Sequence, residues 1–163
     1  MFDPFMLVGI HTWLSLVAIA AGFVVVAGFL ADGAPPEARN IFLTATFLTS
    51  ATGFVLPADR FLPAHGIGIA ALVVLAIALA ALVVFRLAGA WRPVYLVAMV
   101  ASLYLLLFVG IAQAFGKIPA LHRLAPTGSE PAFFAAQLAN LAAFVWLGIA
   151  AVRTSRRRGL APL

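Results

Sequence analysis

Long apolar runs, each broken by only a few polar residues, occupy most of this chain, and they resolve into five stretches of bilayer-crossing length. A helix of about 20 residues covers the roughly 30 Å of a bilayer's hydrocarbon core. Five of them use about 100 residues, so a chain of 163 keeps only enough for short connections and a tail. The expected fold class is therefore all-α: one integral membrane domain over residues 1–163, a bundle of five transmembrane helices with no separate soluble domain. The small charged fraction, 9% against 65% hydrophobic residues, leaves too little charge to cover a water-facing surface.

Proline and glycine punctuate the runs and predict spans over about 4–31, 38–56, 63–85, 93–115 and 131–152. Asp32-Gly33 and Pro35-Pro36 close the first, because proline cannot continue the helical hydrogen-bond ladder. Pro57 stops the second, Pro63 starts the third, Gly89 separates the third from the fourth, and Gly116 and Pro119 end the fourth. Thr127 and Glu130 have capping-box spacing ahead of the fifth, with Ser129 a competing cap. Residues 116–130 form a loop and 153–163 a basic tail. No Lys or Arg precedes the first run, which extends to about Leu30, so it reads as a retained span rather than a signal peptide.

Orientation follows from the basic residues. Arg39, Arg86, Arg92, Arg153, Arg156, Arg157 and Arg158 fall on one side of a five-span topology; Arg60, Lys117 and Arg123 fall on the other. The positive-inside rule then predicts the N-terminus outside and the C-terminus inside. Trp91 and Trp13 suit an aromatic belt at the two interfaces. The tail serves as a stop-transfer and orientation signal, or binds anionic headgroups. These charges have a topological explanation and make no basic face elsewhere, so nucleic acid is not an expected partner.

The polar residues inside the runs are unevenly placed. His11 and Ser15 share a helical face with Ala18 and Gly22; Thr46, Thr49, Ser50 and Gly53 share one in the second span; Gly110, Gln113, Ala114 and Lys117 share one in the fourth. Gln137 and Asn140 lie one turn apart in the fifth. His11, Ser50, Gln113, Gln137 and Asn140 are all in the outer halves of their spans. Polar groups in lipid are costly and should turn inward to pair or meet water, which predicts an outward-facing polar pocket lined by His11, Ser15, Thr49, Ser50, Gln113, Lys117, Gln137 and Asn140. The plainer reading is helix packing through small residues, as in Ala18-x-x-x-Gly22, Ala132-x-x-x-Ala136 and Ala139-x-x-x-Ala143. In the outer connection, His122, Arg123 and Glu130, with His65 at the start of the third span, are candidates for docking a partner; the segment from Ile118 to Leu124 equally fits an interfacial stretch on the membrane.

These residues limit the chemistry. With no cysteine there is no disulfide, thiolate site or covalent haem attachment. A b-type haem would use His11 and His65, whose expected depths differ by a turn or two. A metal held by His11, His65 and His122 would need Asp59 or Glu130, and no ligand-motif spacing is present, so no metal site is predicted. Quinone carbonyls find donors in His11, Ser50, Gln113 and Asn140. Asp3, Asp32, Glu37, Asp59 and Glu130 all lie at edges or in loops, which argues against a proton-driven pump, and no G-x-S-x-G nucleophile elbow occurs.

Several segments look familiar together: His11-Thr12-x-Leu14-Ser15-Leu16-x-Ala18-Ile19, Leu48-Thr49-Ser50-x-Thr52-Gly53-Phe54, Gln113-Ala114-Phe115-x-Lys117-x-Pro119-Ala120-Leu121, Leu124-Ala125-Pro126-Thr127-x-Ser129-Glu130-Pro131 and Ala136-Gln137. Over nearly the whole chain they resemble a family of small bacterial membrane proteins with no assigned function. Gly128 and Ala132 depart from its pattern, where Gln and Pro are expected. The resemblance implies a bacterial cytoplasmic membrane, and implies that the outer loop and the His11 face are family features. The leading expectation is a non-enzymatic accessory or binding component of a larger membrane complex or homo-oligomer. A redox-linked module holding quinone or b-type haem through His11 is the alternative, and a small-molecule carrier or channel the third.

Overall fold

The computed structural model describes residues 4–31, 33–56 and 63–158, and all regular structure among them is helical. The helices are α1 (Pro4–Leu30), α2 (Pro36–Gly53), α3 (Pro63–Leu79), α4 (Trp91–Lys117), α5 (Pro119–Leu124) and α6 (Pro131–Arg158), with a π-helical turn, Ala80–Val84, finishing α3. All but α4 open on proline, whose missing N–H is no loss in a first turn. α4 starts two residues ahead of Pro93, which its first turn accommodates for the same reason. Asp3, Asp32, Asp59, Arg60 and 159–163 lie outside the described residues.

α1 to α4 form a ring in which each helix packs on the next and α4 returns to α1; α6 lies in the groove between α1 and α4. The register is set by close approaches. A Cβ on Gly22 would come within 2.7 Å of Leu103 and 2.8 Å of Phe42, so α1, α2 and α4 converge where a side chain is missing. Gly28 is tighter: a Cβ there would stand 2.5 Å from the Ala34 Cα, because the chain folds back over it and Gly33 N–H donates to the Gly28 carbonyl at 3.0 Å. Ala18, Val25, Phe42, Leu75, Ala78, Tyr95, Met99 and Leu103 fill the core between these helices. One end of the bundle carries His11, His65 and His122, the other Arg39, Arg86, Arg92 and Arg153–Arg158; we call them the histidine end and the arginine end.

Four helical stretches, Met6–Leu30, His65–Val84, Trp91–Lys117 and Pro131–Arg158, are long and apolar enough to cross a membrane, one fewer than expected. α2 falls short because Glu37, Arg39 and Asn40 occupy its first turns and Thr44, Thr46, Thr49, Ser50 and Thr52 follow. The exterior is apolar, with Trp13, Leu16, Phe23, Phe47, Val73, Val97, Leu138, Val145 and Trp146 exposed around it. A water-facing monomer rarely shows so much apolar surface.

Three details differ from the sequence reading. The turn after α3 places Arg86 (φ 49°) and Leu87 (φ 57°) in the left-handed region, which costs a non-glycine residue about 1–2 kcal/mol. Burial of Leu87 and the stacking of Phe85 on Trp91, centroids 3.6 Å apart, offset it. α6 does not end at 152 but stays helical through Arg158, so its arginines occupy defined helix faces. Its N-cap is Glu130, whose carbonyl accepts from Phe133 and Phe134, rather than Thr127 or Ser129.

Candidate functional site

The histidine end gathers the polar side chains that connect helices. His11 on α1 meets α2 at Thr52, with Nδ1 3.1 Å from Oγ1. The Thr52 hydroxyl donates its proton to the Leu48 carbonyl at 2.7 Å, with the Thr49 carbonyl 3.1 Å away. With that proton on Leu48, Oγ1 is an acceptor and the Nδ1–H tautomer of His11 fits it, which in a neutral ring leaves the lone pair on Nε2. The ring also borders Gly53, where a Cβ would make an ordinary 3.5 Å contact with His11 Cε1. The Lys117 ammonium lies within electrostatic reach of the same ring. Ser15, one turn along, spends its hydroxyl on the His11 carbonyl at 2.8 Å and so braces α1 rather than offering a donor.

The expected pocket residues divide into three groups. Thr49 and Ser50 are buried on the inward face of α2, beside a fully buried Thr46. Gln137 is buried on α6 and reaches α4, where Nε2 donates to the Phe108 carbonyl at 3.0 Å; Asn140, a turn deeper, is half-buried. Gln113 and Lys117 are exposed. They lie one turn apart on a face of α4 that looks out of the bundle, whereas Phe115 on the opposite face of the same turns is buried and meets Phe133. The buried atoms Thr46 Oγ1, Thr49 Oγ1, Ser102 Oγ, Tyr95 Oη, Gln137 Oε1 and Asn140 Nδ2 have no hydrogen-bond partner among the described residues. Thr46, Thr49 and Ser50 are thus buried on α2, and Gln137 links α6 to α4.

The histidines also stay apart in role. His65 stacks on Phe54 at the end of α2, centroids 5.8 Å apart and planes at 21°, and His122 is exposed on α5. Among the described residues no three His, Cys, Asp or Glu side chains gather as a metal site would require. Arg123 is exposed beside His122. Glu130 is committed to its own loop: Oε1 accepts from the Thr127 N–H at 3.0 Å and the Thr127 hydroxyl at 2.9 Å, and Oε2 from the Ser129 N–H at 3.0 Å. Desolvation acts to raise the Glu130 pKa, but these hydrogen bonds outweigh it and hold the carboxyl below its ordinary 4.5.

Of the small-residue pairs, Ala18 and Gly22 are buried as packing requires, Ala132 and Ala136 are half-buried, and Ala139 and Ala143 face out of the bundle. Thr52, the partner of His11, is the residue of this cluster that sequence reasoning passed over. It lies off the Thr46–Thr49–Ser50–Gly53 stripe, yet the short link between α1 and α2 makes them antiparallel neighbours and brings the early residues of one beside the late residues of the other. No family model, curated protein or solved structure matches the chain, so no relative's activity carries over to it.

Proposed function

We propose that this chain is a five-helix integral protein of a bacterial cytoplasmic membrane, with its histidine end outside and its arginine end inside. It acts as a non-enzymatic binding or accessory component of a larger membrane complex. α2 counts as the fifth span despite its composition: His11 pairs with Thr52 at one end and Gly22 with Phe42 further down, so α2 tracks α1 through the same depth. Thr46, Thr49 and Ser50 are buried on it while Ile41, Thr44, Phe47 and Leu48 are exposed. The excess of arginine at one end supports the orientation.

The observation that carries the binding role is the fixed His11 ring. It is held at Nδ1 by Thr52, and exposed Gln113, Lys117, His122 and Arg123 lie at the same end of the bundle. That is a cationic and hydrogen-bonding surface without a nucleophile–base pair, suited to recognition rather than turnover. Native mass spectrometry of the protein released from its own membranes in mild detergent tests this. The expected result is a defined assembly weakened by His11→Ala. A partner-free monomer, or an assembly indifferent to that change, overturns it.

One feature favours a redox-linked second reading. With Nδ1–H donated to Thr52, neutral His11 presents an acceptor at Nε2, which suits a quinol hydroxyl or a haem iron better than a quinone carbonyl. A Soret band in protein from haem-replete cells, abolished by His11→Ala, would support haem. Its absence would leave quinol alone in that reading.

A further inference from the structure

Because α6 remains helical through Arg158, Trp146, Ile149, Ala150, Arg153, Thr154 and Arg157 recur at intervals of three and four along one face and line a groove of about 240 Å³. The groove changes character along its length. Trp146, Ile149 and Ala150 make an apolar half; Arg153, Thr154 and Arg157 make a cationic, hydrogen-bonding half. From Trp146 to Arg157 the helix rises about 16 Å, enough to pass from the edge of the hydrocarbon core through the headgroup layer. The arginines of this segment are not equivalent. Arg158 donates to the Ala31 carbonyl at the end of α1 and ties α6 to the bundle. Arg153 and Arg157 are exposed, with no hydrogen bond or ion pair among the described residues, and Arg156 does not line the groove.

We propose that this groove binds one anionic phospholipid of the arginine-end leaflet. The Arg153 and Arg157 guanidiniums clasp its phosphate, Thr154 supplies a hydroxyl, and the glycerol and upper acyl chain lie along Trp146, Ile149 and Ala150. Arginine forks match phosphate oxygens in bidentate fashion, which a solvated lysine cluster would not do. All the lining residues come from α6. A second copy is disfavoured as the occupant: a two-fold axis normal to the membrane would set Arg153 and Arg157 against their own counterparts. A soluble anion would leave the apolar half unused. The proposal rests on α6 lying in a bilayer and is independent of the role assigned to the histidine end.

The full chain in detergent is titrated with phosphatidylglycerol or phosphatidylcholine, and bound lipid is counted by native mass spectrometry. One phosphatidylglycerol should bind in preference to phosphatidylcholine. Arg153→Gln and Arg157→Gln should each lower that preference about fivefold. Arg156→Gln, which removes the same charge from the same segment, should leave it within about twofold. An equal loss in Arg156→Gln would mean diffuse attraction to the segment and overturn the site. Complete displacement of lipid by millimolar inorganic phosphate would reduce it to an anion site and overturn the lipid assignment. The chain has no cysteine, so Ile149→Cys gives a single thiol; near-complete disulfide cross-linking in membranes would assign the face to a second copy instead. Resistance to carbonate extraction is measured on the same variants. Its loss would defeat the membrane placement itself, whereas intact insertion without lipid selectivity defeats this proposal alone.

Discussion

The two ends of the bundle are built on opposite plans. At the arginine end the chain is packed against itself: Gly28 lies under the backbone of residues 33–34, Phe85 stacks on Trp91, and Arg158 reaches the end of α1. At the histidine end, Gly9, Gly66 and Gly116 have nothing within 4 Å of where a Cβ would be, and the His11–Thr52 bond joins α1 to α2. A tightly packed end has little freedom to accept a ligand within the helix ring, so its binding surface is left on the outside of α6. A loosely packed end with a few fixed polar groups can accept a partner without rearranging a core. The contrast accords with the proposed division, structure at one end and recognition at the other.

The largest expected effect tests the packing half of that contrast. Gly28→Ala places a Cβ 2.5 Å from a backbone carbon that no rotamer change can move aside. Overpacking of this kind costs about 3 kcal/mol, well above the roughly 1 kcal/mol that helix propensity returns. Gly9→Ala gains the propensity term without a clash and should stabilise by about 0.5–1 kcal/mol. Thermal unfolding in detergent reads both, and similar responses at the two sites would erase the distinction between the ends.

A smaller effect separates two threonines on one helix. Thr52→Val removes the acceptor for His11 Nδ1–H and should cost about 1 kcal/mol, since polar contacts between membrane helices are worth little more. Thr46→Val, with the same change of shape, removes a fully buried hydroxyl that has no partner among the described residues. It should be neutral or stabilising by less than about 1 kcal/mol. Opposite signs for the same substitution would show that the polar line along α2 changes role with depth, from a clasp at the mouth to an unpaired group in the core. A large loss at Thr46 would show instead that its hydroxyl is engaged.

Much of this plan is legible in the sequence because long apolar runs leave few folds open to a chain. Backbone groups in hydrocarbon must be bonded within a helix, so apolar runs translate directly into α1, α3, α4 and α6, and Pro36, Pro63 and Pro131 mark helix starts within a residue or two of expectation. What was not legible depends on contacts between distant residues. The left-handed Arg86 and Leu87 exist because Leu87 is buried and Phe85 meets Trp91; composition alone would have put glycine there. Gln113 lies on a stripe with the right period, but it is the Phe115 face of the same turns that packs into the bundle, against Phe133. Thr52 acquires its role only through the antiparallel register of α1 and α2. In each case periodicity identified a face, and only the packing showed what that face meets.

The smallest effect is a pH dependence that should appear at one end and not at the other. The carboxylate of Glu130 holds the 127–130 turn through the N–H groups of Thr127 and Ser129, and its folded pKa lies below 4.5. For a depressed carboxyl the sign is fixed: its contribution is fully present above 4.5 and is lost as the pH falls through the folded value. Amide exchange, corrected for its intrinsic pH dependence, should show Thr127 and Ser129 protected near neutrality and progressively unprotected below 4.5. Glu130→Gln should abolish that dependence. At the arginine end the Gly33 N–H donates to the carbonyl of Gly28, a bond with no titrating group in it, and its protection should be flat across the same range. Acid loss at Gly33 in step with Thr127 would mean that the two ends unfold together, and that the histidine end is not an independently adjustable surface.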